Sequence, residues 1–440
     1  MKVCVLGLWH LGTVTAACLA SAGHTVVGLD FDGATAESLR AGRPPLFEPG
    51  LEDLLKRGLA GGRLSFTTNA AAALDGAEVV WVAYDTPVDE EDRADVEFVF
   101  ERVTRLFPHL KPGTLILISS QLPVGTTRRL QDAYAKTSPR AGLCFGYSPE
   151  NLRLGKAISV FTEPDRVVVG LRTFGDTLPV ESYRARAADL LRPFTERIEW
   201  MSVESAEMTK HALNAFLATS VTFINEVAVL CEQVGADAGE VERGLKSEAR
   251  IGPRAYLGPG GAFAGGTLAR DINFLERVGA EHHQPTHLLS AVRASNDAHK
   301  RWAHNKLQTL LGGEMGGKII AVWGLAYKAG TDTLRRSSSV ELCLWLAGRG
   351  AQVLAHDPAV KALPGDLNGK FKLCSTPAET LQGASALVVT TAGEEYRTVT
   401  AETLGSSMRD PIVIDPNRFL AATLGGDPHV RYVTVGRPLH

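Results

Sequence analysis

The sequence predicts an α/β protein in which a long central helix joins two doubly wound parallel sheets. Short apolar runs alternate with helix-like stretches near both ends of the chain, a pattern typical of parallel sheets covered by helices. Between them, residues 202–234 contain neither glycine nor proline, which indicates a helix about 50 Å long at about 1.5 Å per residue. We therefore expect domains at residues 1–200 and 311–440, with a helical region at 201–310 that carries a glycine-rich loop. The long helix of this region can bridge two domains or form a dimer seam.

The elements of the first domain begin with a strand at residues 3–6, a glycine-bearing turn at 7–12 and a helix through Ser21. A second strand at 25–29 ends at Asp30. Further strands are expected at residues 79–83, 115–119 and 167–169, a helix at 285–308, and strands of the second domain at 318–323, 352–355, 386–389 and 412–414. The second domain repeats the arrangement of strand, Gly turn, helix and strand ending in an acid, here Asp357. Both domains are therefore expected to bind a nucleotide.

Composition excludes several classes of partner. The chain has 440 residues, too many for one ordinary domain, and its 45% hydrophobic and 22% charged residues are typical of a soluble protein with a sizeable core. A formal net charge of -3 gives no electrostatic reason for a nucleic-acid or membrane partner.

The six cysteines form no CxxC pair, so buried thiols are expected rather than a metal site or disulfides. The chain opens on a strand pattern and shows no apolar run of about 18 residues, so a cytoplasmic location is expected.

The turn GLWHLG at residues 7–12 is a partial dinucleotide-binding fingerprint. Gly7 and Gly12 match the first and third glycines of the Rossmann pattern GxGxxG, whereas Trp9 takes the second position, where the phosphates come closest. The turn opens a helix, whose amino end favours phosphate. Asp30, about 20 residues on, is placed to accept ribose hydroxyls and disfavours a 2′-phosphate, so NAD is preferred to NADP. Trp9 either turns its ring away and offers its backbone N–H or crowds the cofactor.

Motifs along the whole chain carry a family resemblance. They are FEPG at 47–50, DTP at 85–87, LPVGTT at 122–127, SPENLRLG at 148–155, AEMTKHALNAFLA at 206–218, LGPGGAFAGGTLARD at 257–271, GLAYKAGTDTLRRS at 324–337 and HDP at 356–358. In this order they resemble the UDP-glucose and GDP-mannose dehydrogenases. The resemblance implies two Rossmann-like domains and a homodimer formed through the central helix. It also implies NAD in the first domain, the UDP part of a sugar nucleotide mostly in the second, and hydride transfer from sugar C6 to NAD.

The resemblance also implies roles for single residues. Lys210 and Asn214, spaced i, i+4 on one helix, would flank the reacting carbon and stabilise oxyanion charge, and Asp271 would order a water for proton transfer. Glu150 and Thr267 complete the set of candidate catalytic residues. Substrate contacts would come from Glu150, Asn151, Leu152, Lys210, Asn214, Arg250 of the neighbouring subunit, Tyr256, Leu257, Gly261 and Lys328. Cofactor contacts would come from Gly7, Trp9, His10, Leu11, Gly12, Asp30, Thr86, Pro87, Gln121, Arg270 and Arg335. For the residues matched singly, an ordinary surface position is the alternative.

Thr267 falls where the family keeps its catalytic cysteine. The family captures an intermediate aldehyde on that thiol, oxidises it to a thioester and hydrolyses it. A thiolate is nucleophilic near neutral pH, whereas a threonine hydroxyl needs a base to activate it. Gln121, Leu154 and Arg270 also replace a threonine, a glutamate and a lysine of the family's motifs. The full oxidation of an alcohol to an acid is therefore not expected by the usual route.

Three functions remain open on the sequence alone. The first is oxidation of a sugar nucleotide that stops after one hydride, at an aldehyde or ketone. The second is a redox-neutral epimerase or isomerase that returns the hydride to the sugar. The third is a sugar-nucleotide-binding pseudoenzyme, which Trp9 and Leu154 favour and which the retained Lys210, Asn214 and Asp271 oppose.

Overall fold

A computed structural model describes residues 1–89, 93–137, 142–174, 178–264 and 266–438. The backbone divides into two compact units, Met1–Ala212 and Leu213–His440. The boundary lies inside a helix, Val203–Val234, that is continuous through it. Each unit has its own sheet and its own buried core.

The first unit is a single sheet with helices between its strands. Its elements are β1 Lys2–Leu6, α1 His10–Ser21, β2 Thr25–Leu29, α2 Gly33–Arg40, α3 Leu51–Ala60, β3 Leu64–Thr67, α4 Ala70–Leu74, β4 Val79–Val82, α5 Val96–Thr104, β5 Leu115–Ile118, α6 Thr126–Thr137, β6 Leu143–Tyr147, α7 Ala157–Thr162, β7 Val167–Phe174, α8 Val180–Leu191 and β8 Ile198–Met201. In the described residues the strand order is β3-β2-β1-β4-β5-β6-β7-β8. Neighbouring strands are parallel except β6 and β7, which are antiparallel.

The second unit combines a helical part with a smaller sheet. After the long helix α9 Val203–Val234 come α10 Ala238–Ser247, α11 Thr267–Glu281, α12 His287–His299, α13 Trp302–Leu310, β9 Ile319–Trp323, α14 Ser338–Ala347, β10 Gln352–His356, β11 Lys372–Leu373, α15 Pro377–Leu381, β12 Ala386–Val389, α16 Ala401–Ser407, β13 Ile412–Ile414, α17 Ala421–Leu424 and β14 Arg431–Val433. The strands of its described residues are all parallel, in the order β11-β10-β9-β12-β13-β14.

Local sequence explains why these elements form. The inner strands β4 (VVWV) and β5 (LILI) are apolar at every position and fully buried, as expected for strands covered by helices on both faces. Side-chain oxygens cap the amino ends of several helices. Asp32 accepts hydrogen bonds from backbone N–H groups at the start of α2, and Asp95 does the same at the start of α5. Ser337 caps α14 in the second unit.

The fold class predicted from the sequence is confirmed, with two differences in detail. The antiparallel β6–β7 pair interrupts a sheet that we expected to be wholly parallel. The helix expected at residues 285–308 is two helices, α12 and α13, with a break that no Gly or Pro marks. Trp302 begins α13, is buried, and donates its indole N–H to Glu232 on α9 at 2.9 Å. Tertiary packing rather than local propensity therefore sets that break.

Helix α9 is long and apolar enough, by length and composition, to cross a membrane. It is nevertheless a packed helix of the protein, because it carries buried polar side chains with partners elsewhere in the chain. Lys210 donates to Glu150 O, and Asn225 accepts from Gly260 N–H. The cytoplasmic location stays a prediction.

Candidate active site

The turn between β1 and α1 needs glycine at two positions. Gly7 has φ +89°, and a Cβ there would lie 2.7 Å from the ring of Tyr84. A Cβ on Gly12 would lie 1.6 Å from the carbonyl oxygen of Gly7, so any side chain would push α1 away from the turn. Both glycines therefore have the packing role that the Rossmann fingerprint requires.

Asp30, at the end of β2, fixes the same turn and also faces a pocket. One carboxylate oxygen accepts the Leu8 N–H at 2.8 Å and the other accepts the Asp32 N–H at 3.0 Å. The side chain is only half-buried, and each carboxylate oxygen has a further lone pair. Asp30 can therefore hold the turn and still accept ribose hydroxyls.

The pocket beside this turn has a volume of about 560 Å³. Its lining residues are Trp9, Asp30, Phe31, Asp32, Thr35, Tyr84, Asp85, Phe98, Arg102 and Arg105. The guanidinium of Arg102 lies 3.5 Å from the ring centroid of Phe98, and that of Arg105 lies 3.5 Å from that of Phe31. Sequence reasoning missed both arginines, because their positions on and just after α5 belong to no motif.

Two orphaned hydroxyls show that this region suits a polar ligand. Tyr84 Oη and Thr86 Oγ1 are buried and have no hydrogen-bond partner among the described residues. Burial raises the pKa of Tyr84, so its hydroxyl stays protonated and can donate. With the glycine turn and Asp30, these groups fit an adenine dinucleotide.

The remaining turn residues are less typical of a dinucleotide site. Trp9 is 50% exposed and lines the pocket, so its ring narrows the space that glycine would leave open. His10 donates to the buried carboxylate of Glu48 at 3.1 Å. The Leu11 N–H is donated to Asp85 at 3.2 Å. Desolvation by neighbouring groups raises the pKa of the Asp85 carboxyl, although the residue is exposed at the pocket.

Glu48 explains the FEPG motif structurally. Its two oxygens accept the N–H groups of Gly155 and Ala157, both at 2.8 Å, in addition to the His10 ring. The carboxylate therefore ties the start of α1 to the end of the SPENLRLG segment. Glu48 therefore holds these two segments together, and its carboxylate has little remaining capacity to accept hydrogen bonds from a ligand.

Asp357 is the acid of the second unit that corresponds to Asp30, but its carboxylate has no free lone pair for a ligand. One oxygen accepts the N–H groups of Leu325 and Ala326 at 2.7 and 2.8 Å, and the other accepts those of Ala359 and Val360 at 2.8 and 3.3 Å. Asp357 is also 4% exposed. It closes the turn after β9, and its lone pairs are taken, so it is not placed to accept ribose hydroxyls as Asp30 is.

Lys210 and Glu150 form a pair in the first unit. Lys210 is 6% exposed, and its ammonium donates to the backbone oxygen of Glu150 at 2.5 Å. The Glu150 carboxylate lies 3.6 Å from the same ammonium and also accepts the Leu152 N–H at 2.7 Å. The ammonium has three N–H donors and spends one on the Glu150 backbone oxygen, so it can donate another to a substrate oxygen that gains negative charge.

Two other α9 residues hold the LPVGTT segment. Glu207 is fully buried and accepts the Gly125 N–H at 2.6 Å, the Thr127 N–H at 3.0 Å and the Thr127 hydroxyl at 2.7 Å. Burial raises the pKa of Glu207, and these hydrogen bonds oppose that rise. His211 donates to the Leu122 oxygen at 3.1 Å, so this ring is a structural anchor.

Asn214 and Asp271 form the corresponding pair in the second unit. The Asn214 amide donates to the Asp271 carboxylate, and Asp271 is fully buried on the first turns of α11. Thr267 is the first residue of α11 and is exposed, and its hydroxyl has no hydrogen-bond partner among the described residues. Gly266, just before it, has φ +126°, and a Cβ there would lie 2.5 Å from the Tyr327 hydroxyl.

Asparagines and a histidine, which the sequence analysis did not single out, hold the glycine-rich loop. Asn225 of α9 accepts the Gly260 N–H at 3.0 Å and donates to the Gly261 oxygen at 3.3 Å, while Asn417 accepts the Gly261 N–H at 2.9 Å. His299 donates to the Gly260 oxygen at 2.8 Å. These partners lie far from the loop in sequence, so no local signal could identify them.

The other predicted substrate and cofactor residues are less closely grouped. Arg250 is exposed and pairs with Glu248 at 2.9 Å. Tyr256 is exposed and Leu257 is buried. Asn151, Pro87, Lys328 and Arg335 are exposed, whereas Leu152, Gln121, Gly261 and Arg270 are half-buried. Their contacts with ligands stay predictions.

Family models match most of the chain. The NAD binding domain of the UDP-glucose/GDP-mannose dehydrogenase family matches residues 1–184, its central domain residues 204–298, and its UDP binding domain residues 321–422. Among curated relatives, UDP-glucose 6-dehydrogenase of Pseudomonas aeruginosa is 34% identical over 100% of this chain and 98% of its own. The enzyme of the same name from Rhizobium meliloti is 32% identical over 100% of both chains.

Solved structures agree with this assignment. A UDP-glucose dehydrogenase from Pyrobaculum islandicum superposes with a TM-score of 0.83 at 30% identity, covering 96% of each chain. A UDP-D-ManNAc dehydrogenase from Pyrococcus horikoshii has a TM-score of 0.83 at 25% identity, covering 99% of each chain. The chain therefore belongs to the UDP-glucose/GDP-mannose dehydrogenase family and is an NAD-dependent nucleotide-sugar oxidoreductase.

Proposed function

We propose that this enzyme oxidises a UDP-sugar by one hydride and releases a carbonyl product instead of an acid. The observation that carries the proposal is Thr267, which begins α11 where the family keeps its cysteine. UDP-glucose is the first substrate to test, because the relatives quoted above are named for it. For a C6 alcohol, the balanced step yields the 6-aldehyde, NADH and one proton.

The chain keeps groups suited to that first step. Bound NAD supplies the hydride acceptor. Lys210 and Asn214 project from α9 and can stabilise charge on the sugar oxygen as its proton leaves. Asp271, held by Asn214, can order the water that takes the proton.

The second oxidation lacks its nucleophile. A covalent adduct with the aldehyde requires an activated oxygen at Thr267, yet this hydroxyl has no hydrogen bond to a base among the described residues. An unactivated hydroxyl is a weak nucleophile at neutral pH, whereas a cysteine is partly ionised. The aldehyde is therefore expected to leave before a second hydride is removed.

Stoichiometry with a Thr267→Cys variant tests the proposal. Purified enzyme is incubated with NAD and a panel of UDP- and GDP-sugars, while NADH is followed by absorbance and the sugar by mass spectrometry and NMR. We expect one NADH per sugar and a carbonyl product from the native enzyme and from a Thr267→Ser control. Thr267→Cys is expected to move the ratio toward two NADH with an acid product.

Each other outcome decides against the proposal. Two NADH per sugar and an acid from the native enzyme would show that Thr267 does not limit the reaction. An isomerised sugar of unchanged mass without net NADH would establish the redox-neutral alternative. Nucleotide binding without conversion of any sugar would establish a pseudoenzyme.

We also propose a homodimer formed through α9. Phe216, Phe223 and Leu230 are 69%, 50% and 64% exposed and recur every seven residues, so they form one stripe about 21 Å long on the helix. Val234 extends it and is 77% exposed. A seven-residue apolar repeat packs against a second such helix, and a contiguous exposed apolar patch marks an interface.

Charge placed in this stripe tests the dimer. The double variant Phe216→Glu, Phe223→Glu should shift the mass measured by light scattering from twice the 47.1 kDa chain mass to that of one chain. Leu344→Glu is the matched control, because Leu344 is also exposed but lies on α14. A dimer that survives the double variant would exclude this interface.

A further inference from the structure

The amino end of α1 carries a carboxylate from another part of the chain. Helix α1 has no side-chain cap of its own, since Trp9 occupies the N-cap position and its first turn contains no acid. Asp85, which follows β4, accepts the Leu11 N–H at 3.2 Å across 74 residues of sequence. Asp85 thereby satisfies one of the free backbone donors that every helix start exposes.

The same donors are those that a dinucleotide's pyrophosphate uses. In a Rossmann fold the phosphates lie at the amino end of the first helix, where N–H groups and the helix dipole favour negative charge. Asp85 lines the same pocket as Trp9 and Asp30. The Asp85 carboxylate thus lies where the ligand's own anion belongs, and like charges at short distance repel.

We propose that Asp85 is an affinity-determining residue for NAD, whose carboxylate competes with the pyrophosphate for the amino end of α1. NAD binding requires this side chain to turn aside and release the Leu11 N–H. The chain consequently holds NAD more weakly than its glycine turn alone permits. This proposal concerns the cofactor site and does not depend on the reaction's outcome.

Binding measurements on the purified, full-length protein test the proposal without turnover. Asp85→Asn keeps an acceptor for the Leu11 N–H and removes the charge. Isothermal titration with NAD and with ADP-ribose should give Kd values about fivefold to tenfold lower than for the native chain, as expected for removing one charge at a helix end. Adenosine, which lacks phosphate, should bind both proteins equally.

The matched control is Glu101→Gln, which removes one negative charge from an exposed side chain of α5 in the same unit without touching the turn. It should leave the Kd for NAD unchanged. A Kd for NAD that is unchanged or higher in Asp85→Asn would overturn the proposal. An equal gain in affinity for adenosine in Asp85→Asn, or for NAD in Glu101→Gln, would also overturn it. Should Asp85→Asn fold poorly, Asp85→Gly provides a second test, with the same gain expected for ADP-ribose and none for adenosine.

Discussion

Single residues carry both the recognisable and the unusual parts of this site. Gly7, Gly12 and Asp30 were predicted because each has a fixed spacing in a known turn, and the structure gives each a packing or hydrogen-bonding reason. Asp85 was not predicted as a partner of α1, because a contact across 74 residues leaves no local pattern. Trp9 was recognised as a departure, but only the structure shows that it lines the pocket.

Trp9 should report cofactor binding by fluorescence. It is 50% exposed at the pocket, while Trp81, Trp302 and Trp323 are buried. We expect NAD to quench tryptophan emission, because the ligand would contact this indole and displace water from it. Trp9→Phe should abolish the quench, and Trp200→Phe should keep it. A quench that persists in Trp9→Phe would place the ligand elsewhere.

At the scale of elements, α9 supplies one member of each polar pair, Lys210 with Glu150 in the first unit and Asn214 with Asp271 in the second. The sequence predicted this helix within one residue at its start, since no glycine or proline interrupts it. Its polar residues were harder to interpret. Lys210 and Asn214 were assigned by resemblance, whereas the anchoring roles of Glu207 and Asn225 depend on loops distant in sequence. Such contacts follow from tertiary packing and not from helix periodicity.

Glu207 should be an important anchor for the LPVGTT segment. Glu207→Ala leaves the N–H groups of Gly125 and Thr127 without their acceptor, and we expect it to lower the free energy of unfolding by about 2 to 3 kcal/mol. Glu207→Gln retains one acceptor oxygen and should cost less than half as much. Urea denaturation of both variants measures the difference; equal losses would mean that the hydrogen bonds are not the cause.

At the scale of the whole molecule, the alternation of strands and helices was sufficient to predict two α/β sheets. It did not predict β3, β8, β11 or β14, which lie at the sheet edges. It also missed β6, an interior strand whose buried run LCFGY is as long as those of the predicted strands. It also suggested that both domains bind a nucleotide, and the match of residues 321–422 to the family's UDP binding domain supports this for the second unit. It did not show that the acids ending the second strand of each sheet have different roles. Asp357 shows why the sequence pattern alone could not assign the role of such an acid, since all the lone pairs of its carboxylate accept backbone N–H groups.

The stability of the second unit should fall in mild acid because of His304. This ring packs edge-on against Trp345 at 4.6 Å, and its pKa is lowered from 6.5 to about 4 by burial, with a further contribution from Arg301 and Arg349. The unfolded chain takes up a proton near pH 6.5 while the folded chain does not until about pH 4, so stability is lost as the pH falls through this window.

Chemical denaturation at pH 7 and pH 4.5 checks this expectation. Each pKa unit corresponds to about 1.4 kcal/mol, but the ring is partly exposed, so we expect the native chain to lose about 1 to 2 kcal/mol more than His304→Gln. Equal losses of unfolding free energy in the native chain and in His304→Gln would contradict the role of His304 in this pH dependence.

The native cysteines of the folded protein are expected to react little with thiol-labelling reagents. All six are buried and unpaired, and burial raises the pKa of Cys4, Cys18 and Cys144 to about 12. Thiols of this kind react slowly with alkylating reagents in the folded state. A cysteine introduced at the exposed position 267 would therefore be labelled selectively, so a single chromophore or crosslinker could be attached at the start of α11 without removing any native residue other than Thr267.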